Sequence, residues 1–461
     1  MSDWKEYALE ELCDFQNGFA FKNSDYVDSS ENTNEVFRMG YINRGGGFKE
    51  DTTPVFVPQN YPKNLDKFIL KLNDITIAMT DMKNSMALLG YCARISHNNR
   101  FVLNQRVGRI RVVRNDILDP IYLYYYLNSS KQIDYLRANA NSGVQVNLST
   151  DTIKKSILKV PNIEKQREIA NILFTLDQKI DLNTQINQTL EQIAQALFKS
   201  WFVDFEPVRA KIQVLSDGLS LEQAELAAMQ AISGKTSEEL TALSQTQPDR
   251  YAELAETAKV FPCEIVEVDG IEVPRGWNLK ALDEIANYQN GLALQKFRPE
   301  DDEPFLPVVK IAQLRQGYAD GEEKAKASIK PECIIDNGDV IFSWSGSLLV
   351  DIWCGGKAAL NQHLFKVTSK RYPKWFYYFY TKYHLAEFQR IAYDKAVTMG
   401  HIKREHLSAA KCIVPNDELL ANKTLENILE KIIFNRLENF NLQDTRDLLL
   451  PRLLNGEMID A

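Results

Sequence analysis

The sequence lacks paired cysteines. Its six cysteines stand at 13, 92, 263, 333, 354 and 412, and none lies in a CxxC pair. Neither a zinc knuckle nor a disulfide framework is supported, and a reducing cytosol is expected. No apolar run is long enough to span a bilayer. The opening MSDWKEYALEELCDF is polar and acidic and lacks the apolar stretch of a signal peptide. A cytoplasmic chain without a membrane partner is expected. Catalytic signatures are also missing. There is no Asn/Asp-Pro-Pro-aromatic tetrad, no GxxxxGK phosphate loop and no HExxH metal motif. Histidines number only five, and His401 and His406 are five apart, which suits surface or turn positions rather than one helix face. Gly45-Gly46-Gly47 reads as a loop, and the SWSGS run is not a GxSxG elbow. No catalytic residue, metal or cofactor is expected.

What is present is an ordinary globular mixture, 44% hydrophobic and 25% charged over 461 residues, long enough for two or three domains. Net charge is −8, which on its face disfavours a nucleic-acid partner. The charge is unevenly spread. Residues 204–272 hold 14 Asp/Glu against 5 Lys/Arg, a balance of −9, which leaves the remainder at about +1. Residues 94–114 carry six arginines and no acid, and residues 366–411 carry ten Lys/Arg against three acids.

The chain also repeats itself. DWKEYALEELCDFQNGFAF (3–21) aligns with GWNLKALDEIANYQNGLAL (276–294) at an offset of 273 positions. With small gaps, NDITIAMT (73–80) answers GDVIFSWS (338–345), LNQR (103–106) answers LNQH (360–363), and VPN recurs at 160–162 and 414–416. Five segments follow: a domain at 1–160, a helical segment at 161–205, an acidic stretch of small helices and linker at 206–273, a second domain at 274–415, and a second helical segment at 416–461. Short β-rich runs between Gly/Asn/Asp turns predict α+β domains. Each has one helix beginning around Pro120 or Pro373. The aromatic runs YLYYYL and WFYYFY on those helices read as buried faces. For the QNG phrases a structural role is expected, with Gly18 and Gly291 supplying a turn backbone and the Asn side chains bonding nearby main chain.

The helical segments show an apolar seam. Ile169, Leu176, Leu190 and Leu197 fall in one heptad column with Asn183 in the remaining place. Ile172, Leu173, Ile180, Ile186 and Ile193 are assigned to neighbouring columns. The second copy offers Leu425, Ile428, Leu429, Ile432, Leu449 and Leu453, with Asn439 equivalent to Asn183. An antiparallel coiled coil of these two helices is predicted, giving the two domains pseudo-two-fold symmetry. About 40 helical residues span roughly 60 Å. Half-sites on one face of a DNA duplex repeat every 34–36 Å or so.

Two α+β domains, each followed by such a helix, resemble the specificity subunit of type I restriction–modification systems. The likeness rests on Pro161, Glu164, Gln166, Ile169-Ala170, Ile172-Leu173 and Leu176-Asp177. It rests also on ALFKSWFVDFEPV (196–208), VPRGW (273–277), GDVIFSWSGS (338–347) and the turn from Gly143 to Leu148. The second copy, VPNDELLANKTLENIL, departs from the helix signature. The resemblance implies two target-recognition domains reading a split double-stranded DNA sequence. It implies helices that dock two methyltransferase subunits, which recruit restriction subunits, and a chain that is not itself an enzyme. Base reading needs donors and acceptors matched to base edges. Where the copies differ, the candidates are Thr80, Asp81, Lys83 and Asn84 in the first domain and Trp344, Ser345 and Ser347 in the second. Further candidates are Arg106 and His363 after the LNQ runs, Lys22 and Lys296 past the QNG phrases, and Lys403 and Arg404. Two other readings stay open: a protein-only scaffold, and an unrecognised DNA methyltransferase or nuclease.

Overall fold

The computed structural model describes residues 4–50, 52–141, 143, 145–394 and 400–457. The chain forms two compact units. One comprises Met1–Asp181 with Phe440–Ala461, the other Leu182–Asn439.

In the first unit a four-stranded antiparallel sheet runs in the order Cys13–Asn17, Val107–Val112, Ile75–Ala78, Cys92–Arg94. A second sheet orders Phe56–Pro58, Thr33–Phe37, Phe101–Leu103, with the last pair parallel. Lys5–Ala8 pairs with Ile157–Val160 and so ties the start of the domain to its end. The second unit repeats this order. Asn287–Asn290, Leu364–Thr368, Val340–Ser343 and Leu349–Ile352 form one sheet. Lys324–Lys326, Phe305–Val309, Ala358–Leu360 and Ile334–Ile335 form the other, again with one parallel pair. Asn278–Ala281 pairs with Lys411–Val414. The repeated phrases therefore encode one α+β topology used twice.

The QNG phrases are not turns. Gln16 and Asn17 end a strand, and the chain continues into a parallel bridge between Phe19 and Asn104. Leu292 and Asn361 make the same bridge in the second unit. The Phe19 N–H donates to Leu103 O and the Gln105 N–H to Phe19 O, both at 2.9 Å; Leu292, Leu360 and Gln362 repeat both bonds at the same length. Neither Gly18 nor Gly291 has a positive φ. Each is glycine because a Cβ there would overlap the carbonyl of Asn104, or those of Leu360 and Asn361. The side chain that bonds nearby main chain is the glutamine's: Gln16 donates to Asn17 O and Gln289 to Asn290 O. Asn17 instead donates to Thr150 Oγ1 at 3.1 Å.

The aromatic helices are Pro120–Leu127, capped by the Asp119 carboxylate, and Lys374–Tyr383. Tyr122, Tyr125, Trp375, Phe376 and Tyr380 are buried, so these rings are core. Each helix also fixes its domain to the first long helix, Ile163–Phe202. In the first unit Tyr125 Oη donates to Asp177 at 2.6 Å, and Arg446 pairs with the same carboxylate. In the second, Tyr378 Oη donates to Glu191 at 3.2 Å and Lys382 pairs with it.

The two long helices, Ile163–Phe202 and Thr424–Leu454, contribute to both units. Within the second unit they run antiparallel. Asn183 bonds Glu438 and Asn439, while four residues on, Asn187 bonds Asn435 and the Ile432 carbonyl. Asn183 and Asn435 are both 1% exposed. The two equivalent asparagines of the repeat thus meet each other. In the first unit Leu449 and Leu453 pack in the core with Ile169 and Leu173. The second unit's core receives Phe198, Trp201 and Phe202, whose rings meet Tyr380, Trp375, Trp277 and Phe261.

The predicted seam needs one correction. Ile169, Asn183, Leu429 and Ile432 are buried, and Leu176, Ile186, Leu190, Leu197, Ile428, Asn439 and Leu449 are half-buried. Ile172 and Ile193, however, are 45% and 44% exposed and are not seam residues. The second column lies four residues after the first: Leu173 and Ile180, both among the residues assigned to neighbouring columns, and then Asn187, Ala194 and Trp201, none of them exposed. A polar and a small residue in that column disguise it.

Residues 206–273 are more ordered than a linker. Helices Glu206–Ser216, Leu221–Ser233, Ser237–Thr246 and Pro248–Val260 precede a hairpin of Ile265–Val268 and Ile271–Pro274. Lys211, 1% exposed, donates to the carbonyls of Phe261 at 2.7 Å and Lys259 at 3.2 Å, closing the C-terminus of the last helix.

Candidate nucleic-acid interface

The loops that follow the matched strands carry the differences between the two domains. In the first domain Ile75–Ala78 leads into a two-stranded ribbon, Thr80–Met82 paired with Gln145–Asn147, with Thr80 opposite Asn147. Lys83 and Asn84 stand exposed at its tip. Asp81 is turned to another task. Its carboxylate accepts the N–H groups of Met82 and Leu88, each at 2.7 Å, and so closes the loop on itself. Thr80 lies half-buried with its hydroxyl 3.4 Å from Met39 Sδ. Gly143, where the expected turn begins, lies two residues before the second ribbon strand, and Gln145–Asn147, within that expected turn, is strand.

The basic run at 94–114 resolves into individual partnerships. Arg94 bonds Asn73 and covers the Phe174 ring, and Arg100 pairs with Glu35. Arg109 pairs with Asp14, Arg111 with Asp74 and Arg114 with Asp116. Arg111 is bidentate, at 2.6 and 2.7 Å, and this contact raises its already high pKa. The guanidinium of Arg106 has no partner among the described residues and is exposed. Its backbone is anchored: the Arg106 carbonyl accepts from the Met79 N–H at 3.2 Å. Lys22 is exposed on the same domain, its main-chain N–H bonded to Asp25.

The second domain fills the equivalent place differently. Ser345, 4% exposed, lies 2.9 Å by its Oγ from His363 Nδ1. Ser345 also pairs with His401 through an antiparallel bridge, the counterpart of Thr80 with Asn147. The Trp344 indole N–H donates to Gln362 O at 3.2 Å, and its ring lies against Phe365, His363 and His401. The fold thus brings Trp344, Ser345, His363 and His401 into one cluster. His401 was legible only as a surface histidine, because nothing in the sequence signals its bridge to Ser345. Ser347 and Lys296 are exposed. Arg404 is partly committed, donating to Tyr288 O at 3.1 Å with its guanidinium 5.7 Å from the Phe365 ring centre. Lys403 precedes the short helix Arg404–Ala409, its Nζ 3.6 Å from Glu405.

A serine–histidine contact is also half of a hydrolytic triad. Here His363 Nε2 faces the Gln362 amide at 3.4 Å rather than a carboxylate, so the contact orients the imidazole. Among the described residues no group of three or more His, Cys, Asp or Glu is placed to hold a metal ion. Of the described helices, none is long and apolar enough to cross a membrane.

The duplicated scaffold matches a known sequence family. The model of the type I restriction–modification DNA specificity domain covers residues 1–192 and 274–445. The chain belongs to that family. As a specificity protein of two recognition domains, it is 37% identical to the specificity subunit of the type I restriction enzyme HindI of Haemophilus influenzae, over 99% of this chain and 100% of that one. It is 24% identical to the MjaIX specificity subunit of Methanocaldococcus jannaschii, over 82% of this chain and 77% of that one. A solved structure of the type I restriction–modification S subunit from M. genitalium is 15% identical, covers 98% of this chain and 96% of its own, and has a TM-score of 0.49. The family assignment rests on the sequence matches.

Proposed function

We propose that this chain is the non-catalytic specificity subunit of a type I restriction–modification complex. Its domains at 1–160 and 274–415 each read one half of a bipartite double-stranded DNA target. Its long helices dock two methyltransferase subunits, and restriction subunits join in the full complex. The chain needs no cofactor of its own in this reading, and methyl transfer and cleavage belong to its partners. One observation carries the proposal: a single strand order is built twice, and Arg106 with Thr80 occupies in one domain the place that His363 with Ser345 occupies in the other. A repeated frame with different polar groups at the same place suits two different sequences.

The test is to co-express the chain with its methyltransferase subunit in an unmethylated host and map the modified bases. Two short defined blocks around a fixed unspecified gap are expected. A soluble complex that leaves the genome unmodified would instead favour a protein-only scaffold. Methyl transfer by the purified chain alone would show it to be an enzyme.

A further inference from the structure

Resting on the reading just given, we infer that Arg106 is the guanine reader of the first recognition domain, and that position 363 is its counterpart in the second. Of the six arginines between 94 and 114, five are engaged by acids, an amide or a ring, and Arg106 is left free among the described residues. Its backbone stands between the buried strand Phe101–Leu103 and the start of Val107–Val112, and is tied to Met79, one residue before the ribbon. A two-stranded ribbon is one of the shapes the major groove of DNA admits. A rigid mount beside such a ribbon suits an arginine that must present both ends of its fork to one base. Guanine offers two acceptors, N7 and O6, in that groove, and the guanidinium offers donors and no acceptor. A phosphate contact would need only the charge, not the mount.

The second domain supports the positional part of this inference independently. LNQH places His363 on the same bridge-and-turn as LNQR places Arg106. There the side chain is oriented by Ser345 rather than left free. The two half-sites should therefore differ in the base met at this place.

The experiment maps methylation by the complex carrying Arg106→Gln, Arg106→Lys or His363→Arg beside the wild type. Arg106→Gln and Arg106→Lys are each expected to lower discrimination at one G·C pair of the first block by about ten-fold or more, with the second block unchanged. The lysine variant separates fork from charge, because it keeps the cation and loses the bidentate geometry. His363→Arg is expected to alter one position of the second block only. An unchanged motif in the Arg106 variants would overturn the proposal. So would uniformly weaker methylation with the motif intact, restored by lysine, which is the behaviour of a phosphate contact. Loss of all methylation in both Arg106 variants would overturn it too. A wild-type pattern without two blocks would remove the underlying reading before any variant is compared, so the two failures are distinguishable.

Discussion

At the scale of single residues, Gly18 and Gly291 show why QNG occurs twice. Each lets a strand end touch the LNQ backbone where a Cβ would overlap a carbonyl. Gly18→Ala and Gly291→Ala are each expected to cost about 1–3 kcal/mol, the usual range for overpacking. Chemical denaturation followed by hydrogen exchange should place the loss in the substituted domain. His384 makes a second residue-scale prediction. Burial holds its pKa below the ordinary value, against the opposite pull of the Lys411 carbonyl, which accepts its Nε2 bond at 3.0 Å. The unfolded chain takes up a proton near pH 6.5 that the folded chain still refuses. This site's contribution to stability is therefore intact above about pH 6.5 and declines as the pH falls below it. His384→Gln should flatten the decline between pH 7.5 and 5.5 or so in Tm measurements; an identical pH profile would contradict the assignment.

Elements show where the sequence spoke and where it did not. The duplicated α+β domain, the aromatic core helices and the existence of both long helices were legible, because each rests on local periodicity or on the repeat; strand order was not, because it depends on contacts distant in sequence. The seam register was legible only in part. Ile172 and Ile193 drew part of the second column onto an exposed face, while Asn187 and Ala194 occupied the true one. Polar pairing between the helices, Asn183 with Asn439 and Asn187 with Asn435, lets an asparagine sit where an apolar residue is expected. The candidate interface residues were harder still. Lys, Arg and His look alike in sequence whether they face solvent or a neighbouring acid, and only the fold showed that most of the first basic run is paired. The exposed isoleucines acquire a different meaning from this. Ile172→Glu should leave stability within about 0.5 kcal/mol, as surface changes do, yet weaken co-purification with the methyltransferase subunit if that helix face docks it. Leu173→Glu, at a fully buried position, should instead destabilise the first unit itself. Equal recovery of partner with the wild type and Ile172→Glu would remove that face from the docking surface.

At the scale of the whole molecule, the proposed function requires one chain to carry two independent readers built on the same frame. Charge fits this once it is resolved by segment. The acidic excess resides in residues 204–272 and not in the recognition domains. The overall negative charge therefore says little about either interface. The most direct measurement replaces residues 274–415 with the corresponding domain of another family member and maps methylation by the resulting complex. One block of the split motif is expected to change completely while the other block stays as it was. A change in both blocks, or in neither, would contradict the proposed function.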